Sequence, residues 1–171
     1  MPENLEKYLL TPGPLTTSKL TKQAMLRDIG SWDSDFKKIT SEIREKLVNI
    51  LMQTSNINKI KNSDPYISIP MQGSGTFSVE AMLGTFVSKT NKALVLSNGS
   101  YGKRCSTILN YLGRDNDIID MGDFLPPDPQ LLEKKLEQDP HISHVIVIHC
   151  ETSSGILNPI KTISKIVKSF N

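Results

Sequence analysis

The sequence predicts an α/β fold with a mostly parallel sheet and flanking helices, and two patterns carry this prediction. From residue 66 onward, short runs of aliphatic and β-branched residues alternate with segments whose apolar residues recur at helical spacing. One run, His144–His149 (HVIVIH), is apolar throughout between its two histidines, as in a strand that is covered on both faces. Strands that alternate with helices are typical of a parallel sheet.

The first third of the chain predicts an arm and two helices. Two prolines around Gly13 in LLTPGPLTTS favour an extended arm with a turn, and Thr17 or Ser18 is placed to cap a helix that runs towards Ile29. The polar residues 56–64 predict a loop. Between them lies an amphipathic helix, whose apolar stripe we expect to pack on a core. The stripe consists of Phe36, Ile39, Ile43, Leu47, Ile50 and Leu51.

The remaining elements follow in alternation. The predicted strands are Tyr66–Pro70, Lys92–Ser97, Asp117–Met121 and His144–His149. The predicted helices are Ser74–Val87, Gly102–Leu112, Pro129–Gln138 and a last one that begins with Asn158 as its cap and Pro159 in its first turn. Ligands of such sheets bind at the carboxyl ends of the strands, so the loops that follow the strands are the candidate sites.

Composition and charge exclude several classes of function. A net charge of +2 is too small to indicate binding to nucleic acid or to an anionic membrane. No segment approaches the roughly 20 apolar residues of a membrane span, and the charged N-terminus does not resemble a signal peptide. Cys105 and Cys150 lack the spacing of a metal site and favour reduced thiols. We therefore expect a cytoplasmic protein without a metal.

The loop in QGSGTFSVEA has the composition of an anion cradle. Gly73, Ser74 and Gly75 precede a helix, and the first amides of a helix lack partners within it and lie at its positive end. Ser74 and Thr76 add hydroxyl donors. Taken alone, the pattern is a weak signal and is more often a glycine turn into a helix.

Two further loops are expected at the same edge of the sheet. SNGSYGKR carries Tyr101, which could stack on a flat ring or pack on its own loop. HCETSSGILNP is rich in hydroxyls, among them Thr152, and these could bind a polar group on a ring. The sequence leaves open whether Glu151 orients these groups or is solvated. An anion cradle, an aromatic face and a hydroxyl cluster together suit pyridoxal 5′-phosphate (PLP), a flat phosphorylated cofactor.

Five segments resemble, in order and spacing, the class V aminotransferases of PLP fold type I. They are LLTPGPLTTS, the turn Ser31–Asp33, QGSGTFSVEAMLG, SNGSYGKR and HCETSSGILNPI. Within that family the resemblance is strongest to the members that transfer the amino group of 2-aminoethylphosphonate to pyruvate. It implies that residues 1–30 form an arm and first helix, and that residues 31–171 form the N-terminal part of the large PLP-binding domain, truncated relative to the whole.

The resemblance also implies roles for individual residues. Ser74, Gly75 and Thr76 match the segment that holds the cofactor phosphate, and Tyr101 matches the aromatic residue that stacks on the pyridine ring. Thr152 matches the residue that binds the phenolic oxygen of the ring. The arm around Gly13 would lie near the substrate. Relatives are homodimers, so the complete enzyme is expected to form one.

The resemblance implies that the catalytic groups lie past Asn171. The lysine that forms the Schiff base and the aspartate that pairs with the pyridinium nitrogen have no counterpart in these residues. We therefore expect the 171 residues alone not to catalyse transamination. Two alternatives remain open: an aminotransferase of the same fold that pairs serine or alanine with glyoxylate, and a non-catalytic module that binds a phosphorylated ligand or another chain.

Overall fold

The computed structural model describes residues 8–54 and 66–170. The chain divides into two compact units, Met1–Met71 and Gln72–Asn171. The loop predicted at residues 56–64 lies outside the described residues. The domain assignment from the sequence, with its boundary at residue 30, stays a prediction.

The first unit contains two helices, α1 (Lys19–Ala24) and α2 (Ser34–Thr54). Ser18 caps α1, as the sequence predicts, because its hydroxyl accepts a 3.1 Å hydrogen bond from the amide of Thr21. The helix ends at Ala24, well before Ile29. The strand predicted over residues 66–70 is wrong: this segment has no regular secondary structure, and none of the described strands pairs with it.

Helix α2 has the predicted amphipathic pattern, but its apolar stripe does not pack on a core of described residues. The stripe's side chains are between 40% and 60% exposed. The expectation of a covered stripe is therefore wrong here, since the described part of the first unit supplies no second apolar layer.

The second unit is built around a parallel sheet of three strands in the order β2-β1-β3. The strands are β1 (Lys92–Ser97), β2 (Asp115–Asp120) and β3 (Ile142–Val147). The helices are α3 (Gly75–Phe86), α4 (Ser100–Tyr111), α5 (Pro129–Gln138) and α6 (Ile160–Ser169), and a short antiparallel hairpin joins β4 (Cys150–Glu151) to β5 (Ile156–Leu157). The α/β prediction and its parallel sheet are confirmed.

The core lies on both faces of the central strand β1, because successive side chains of a strand point to opposite faces. Ala93 and Val95 pack on one face with residues of α3 and α4, while Leu94 and Leu96 pack on the other face with residues of α5 and α6. All four are at least 99% buried. The sequence predicts double burial for the run HVIVIH, but in β3 only Ile146 is buried, because β3 is an outer strand of the described sheet.

The amino ends of the strands are tied together by charge. The ammonium group of Lys92 lies 2.9 Å from a carboxylate oxygen of Asp117 and 2.8 Å from one of Asp139. Lys135 binds the same oxygen of Asp117 at 2.7 Å. The hydrogen bond to Asp139, followed by that to Asp117, raises the pKa of Lys92 above its usual range, and the two aspartates have lowered pKa values in return.

Candidate functional site

The predicted anion cradle lies at the start of α3. Ser74 is the residue before the helix, in an extended conformation, and its hydroxyl forms no capping hydrogen bond. Gly75 and Thr76 are the first two helical residues, whose amides have no acceptor within a helix. A Cβ built on Gly75 meets no atom within 4 Å, so the space beside the cradle is open.

The backbone conformation at residue 73 and its close contact with Phe77 require a glycine there. The φ of Gly73 is +113°, in the left-handed region that favours glycine. A Cβ at this position would lie 2.6 Å from the Phe77 ring. The turn into α3 therefore excludes any side chain at residue 73.

Tyr101 is the second residue of α4 and is 41% exposed. The guanidinium carbon of Arg104 lies 5.0 Å from the centroid of its ring, within cation–π distance. The same guanidinium donates a 3.3 Å hydrogen bond to the hydroxyl of Thr76. Arg104 therefore links the cradle to the aromatic residue, so the first two predicted loops lie side by side.

Glu151 joins the second loop to the third. Its side chain is fully buried, at 0% exposure. One carboxylate oxygen accepts a hydrogen bond of 3.0 Å from the amide of Gly102, and the other accepts one of 3.3 Å from the amide of Tyr101. The carboxylate thus caps the start of α4, where the helix dipole favours negative charge. The structure answers the question that the sequence left open, because Glu151 orients its neighbours and is not solvated.

Ser153 completes this connection. Its hydroxyl donates a 2.5 Å hydrogen bond to the carboxylate of Glu151 and accepts one of 2.8 Å from the amide of Ser100. The backbone of Gly99, in the second loop, lies very close to the third loop. A Cβ on Gly99 would lie 2.5 Å from both the Glu151 and the Ser153 side chains. Thr152 lies exposed in the turn between β4 and β5, directly after Glu151.

A second polar connection lies beneath this edge. The buried side-chain amides of Asn98 and Asn158 exchange two hydrogen bonds, each 2.9 Å long. Asn158 also donates a 2.7 Å hydrogen bond to the carbonyl of Ile148. The prediction that Asn158 caps the last helix is therefore wrong: Pro159 occupies the cap position of α6, and the Asn158 side chain is committed to the end of β1.

The structure brings together five of the six residues that the sequence predicts for the site. Arg104, Glu151 and Ser153 connect the segments that carry Ser74, Gly75, Thr76, Tyr101 and Thr152. Gly13 belongs to the first unit, and its predicted position near the substrate stays a prediction. The roles of all six residues in binding also stay predictions.

The sequence left the role of Glu151 open, and it did not indicate the connecting roles of Arg104 and Ser153. The available signal was weak: a glutamate four residues after the end of β3, and a helix start, GSYG, that carries no acidic residue of its own. Pairing the two requires knowledge that β1 and β3 are neighbours, which no local pattern contains.

Other ionisable groups near this edge have structural partners. Lys103 lies 3.4 Å from a carboxylate oxygen of Asp120 and 3.6 Å from one of Asp123. The hydrogen bond to Asp120 and the charges of both aspartates raise its pKa. Burial raises the pKa of the Cys105 thiol, whereas Cys150 is exposed. The described residues contain no group of three or more His, Cys, Asp or Glu side chains placed to bind a metal ion.

No helix within residues 8–54 and 66–170 is both long enough and apolar enough to cross a membrane.

The sequence of the chain is similar to those of several named proteins. No protein-family model matches the chain. Over 164 residues, 96% of its length, it is 54% identical to the 2-aminoethylphosphonate–pyruvate transaminase of Rhizobium meliloti (strain 1021). It is 52% identical to the 2-aminoethylphosphonate–pyruvate transaminase 1 of Paraburkholderia xenovorans (strain LB400) over 95% of its length. The chain spans 41% and 40% of these two relatives.

A solved structure supports the fold. The pyridoxamine–pyruvate aminotransferase of Mesorhizobium loti superposes on 96% of the chain with a TM-score of 0.80 and 24% sequence identity, and the match covers 39% of that protein. The chain thus has the fold of the corresponding part of an aminotransferase. Over nearly all of its residues, its sequence is similar to the N-terminal part of 2-aminoethylphosphonate–pyruvate transaminases.

Proposed function

We propose that this chain binds PLP at the edge formed by α3, α4 and the β4–β5 turn, as part of a transaminase. The observation that carries the proposal is the convergence of three loops. The free start of α3, the exposed ring of Tyr101 and the exposed turn at Thr152 are tied together by Arg104, Glu151 and Ser153.

The start of α3 fits a phosphate group. A phosphate needs several donors and, ideally, a positive helix end, and the amides of Gly75 and Thr76 supply both. The hydroxyl of Ser74 is not used as a helix cap, so it remains a donor for an anion. The open space beside Gly75 gives the group room to enter.

Tyr101 and Thr152 fit the ring of the same cofactor. Tyr101 offers an aromatic surface that is 41% exposed, and Thr152 offers a hydroxyl from an exposed turn. When bound, PLP supplies the electron-withdrawing ring on which amino-group transfer depends. The residues of this chain hold its phosphate, stack on its ring and bind its ring oxygen.

For the whole protein, we propose transfer of the amino group of 2-aminoethylphosphonate to pyruvate, giving phosphonoacetaldehyde and alanine. Identities of 54% and 52% to relatives of that name support this reaction over others of the same fold. We further propose that Gly13 lies near the substrate and that the whole protein is a homodimer. A cytoplasmic location agrees with the two free cysteines.

Titration of the 171-residue chain with PLP tests the cofactor site. Saturable binding, followed by cofactor absorbance, should be stronger for PLP than for pyridoxal, which lacks the phosphate. Ser74→Ala should weaken PLP binding severalfold, and Ser78→Ala, an exposed serine on the same helix, should not. Equal binding of PLP and pyridoxal would overturn the assignment of the cradle.

A matched pair of tyrosines on α4 tests the ring contact. Tyr101→Ala should weaken PLP binding about tenfold, in line with the energy of aromatic stacking. Tyr111→Ala changes an 88% exposed tyrosine at the far end of α4 and should leave binding unaltered. Equal losses in the two variants would show that Tyr101 does not contact the ring.

The substrate is tested with the whole protein. Alanine formation from 2-aminoethylphosphonate and pyruvate should exceed the turnover of serine or alanine with glyoxylate. A preference for glyoxylate would favour the alternative aminotransferase and leave the cofactor site intact.

A further inference from the structure

We propose that Glu151 is a positioning residue, which sets the distance between the two side chains that meet the cofactor ring. This inference rests on the proposed PLP site. Glu151 touches neither ring nor phosphate in the proposal; it acts through Tyr101 and Thr152.

The contacts of Glu151 reach both sides of the site. Its two carboxylate oxygens accept hydrogen bonds from consecutive amides at the start of α4, those of Tyr101 and Gly102. In the chain, Glu151 directly precedes Thr152. One buried side chain therefore holds the backbone of the stacking residue against the turn that carries the ring-binding hydroxyl.

Ser153 adds a second attachment between the β4–β5 turn and the start of α4. Its hydroxyl bonds both the Glu151 carboxylate, at 2.5 Å, and the Ser100 amide, at 2.8 Å. The turn is thus attached to α4 at three consecutive amides, those of residues 100 to 102. Because Thr152 lies between Glu151 and Ser153, both of its neighbours are fixed.

The site needs a carboxylate at this position because the groups around it are donors. Three backbone amides and one hydroxyl point at the two oxygens, and two of the amides, those of Tyr101 and Gly102, belong to the positive end of a helix. A glutamine has one acceptor oxygen and one amino group. The amino group would face an amide donor, so one backbone N–H would lose its partner.

The side chain also has no freedom to move. Gly99 lies so close that even a methyl group there would reach within 2.5 Å of the Glu151 Cγ atom. Glu151 is itself 0% exposed. A change at residue 151 is therefore transmitted to Tyr101 and Thr152 instead of being absorbed by solvent.

Glu151→Gln in the 171-residue chain tests the proposal, with PLP as the probe. We expect PLP affinity to fall severalfold, because Tyr101 and Thr152 are no longer held at the spacing that the ring requires. We also expect the induced circular dichroism per bound cofactor to change, because that signal reports how the ring is held. Glu133→Gln, an exposed glutamate of α5, should match the wild type in both measurements.

The outcomes separate the inference from the proposed function. If the wild-type chain shows no saturable PLP binding, the proposed function and the inference fail together. If the wild type binds and Glu151→Gln binds with the same affinity and the same dichroism, only the inference fails. Weaker binding with an unchanged dichroism per bound cofactor would also overturn it, since a merely destabilised protein behaves in that way.

Ser153→Ala keeps the test decisive if Glu151→Gln does not fold. This variant retains the Glu151 bonds to α4 and removes only the bonds of the Ser153 hydroxyl. We expect a smaller loss of affinity with a dichroism change of the same sign. Amide exchange at Ser100 should become faster, and unchanged dichroism would contradict the proposal.

Discussion

Asn98 and Asn158 exchange two side-chain hydrogen bonds of 2.9 Å although 60 residues separate them in the chain. Asn98 follows β1 and Asn158 precedes α6, and the two residues are 1% and 3% exposed. The pair therefore joins the end of the central strand to the last helix at the base of the candidate site.

Removing one member of this pair should destabilise the second unit. Asn158→Ala leaves the buried side-chain amide of Asn98 and the partly buried carbonyl of Ile148 without their partner. We expect the free energy of unfolding in urea to fall by about 3 kcal/mol, the cost of orphaned buried polar groups. Gln138→Ala, an exposed amide at the end of α5, should change it by less than about 0.5 kcal/mol. Equal effects of the two changes would show that the pair contributes nothing specific.

Two glycines within helices should respond in opposite directions to alanine. A Cβ on Gly102 would lie 2.9 Å from the Cα of Ser97, so Gly102→Ala must push α4 away from β1 and should cost about 2 kcal/mol. A Cβ on Gly84 meets only a side-chain atom of Leu112 at 3.5 Å, an ordinary contact. Gly84→Ala should therefore stabilise the protein by about 0.5 kcal/mol through helix propensity. Thermal unfolding of the two variants measures both, and stabilisation by both would contradict the close contact of α4 with β1.

The charges at the amino ends of the strands predict a pH dependence. The pKa of Asp139 is lowered chiefly by Lys92, and that of Asp117 chiefly by Lys135 and then by Lys92. A lowered pKa in the folded state stabilises the protein above the unfolded value, near pH 4, and this stabilisation is lost as pH falls through the folded value. The raised pKa of Lys92 stabilises the folded state at pH values below the pKa of an unfolded lysine. This stabilisation is lost only at strongly alkaline pH.

Lys92→Met isolates this contribution. We expect the decline of stability below about pH 4 to become shallower, because Asp139 loses its main partner while Asp117 keeps Lys135. Lys134→Met changes an exposed lysine of α5 and should leave the profile as it is. Urea unfolding at a series of pH values measures the slope. An unchanged acid slope in Lys92→Met would refute the coupling.

Lys103 should not serve as the amine nucleophile of a transaminase. It lies near the candidate site, but its ion pairs with Asp120 and Asp123 raise its pKa and keep it protonated. We expect the 171-residue chain, supplied with PLP, to form no alanine from 2-aminoethylphosphonate and pyruvate. Lys103→Gln should leave PLP binding unchanged. Alanine formation that is abolished by Lys103→Gln would show this lysine to be catalytic.

Local patterns were sufficient where an element is defined by its own residues. The predicted bounds of β1 and of α5 agree with the structure, because an unbroken apolar run and a proline at a helix start are local signals. Local patterns failed where an element depends on a neighbouring strand that is distant in the sequence. Residues 66–70 have the composition of a strand without a described neighbour, and β4 and β5 are too short to show alternation.

The same distinction applies to the candidate site. Gly73, Ser74 and Tyr101 could be singled out because glycine loops and aromatic residues at helix starts are visible in one segment. Glu151 and Arg104 bind residues that lie 50 and 28 positions away in the chain. Their contacts can therefore be recognised only once the order of the strands in the sheet is known.

The carboxylate of Glu151 has one further consequence, for discrimination among anions. Helices α3 and α4 both begin at this edge, and the start of each could attract a phosphate. At α4 the protein has already placed its own negative group, which repels a second anion and leaves no unsatisfied amide at Tyr101 or Gly102. A phosphate group is therefore favoured at the start of α3, which has no such capping carboxylate, over the start of α4.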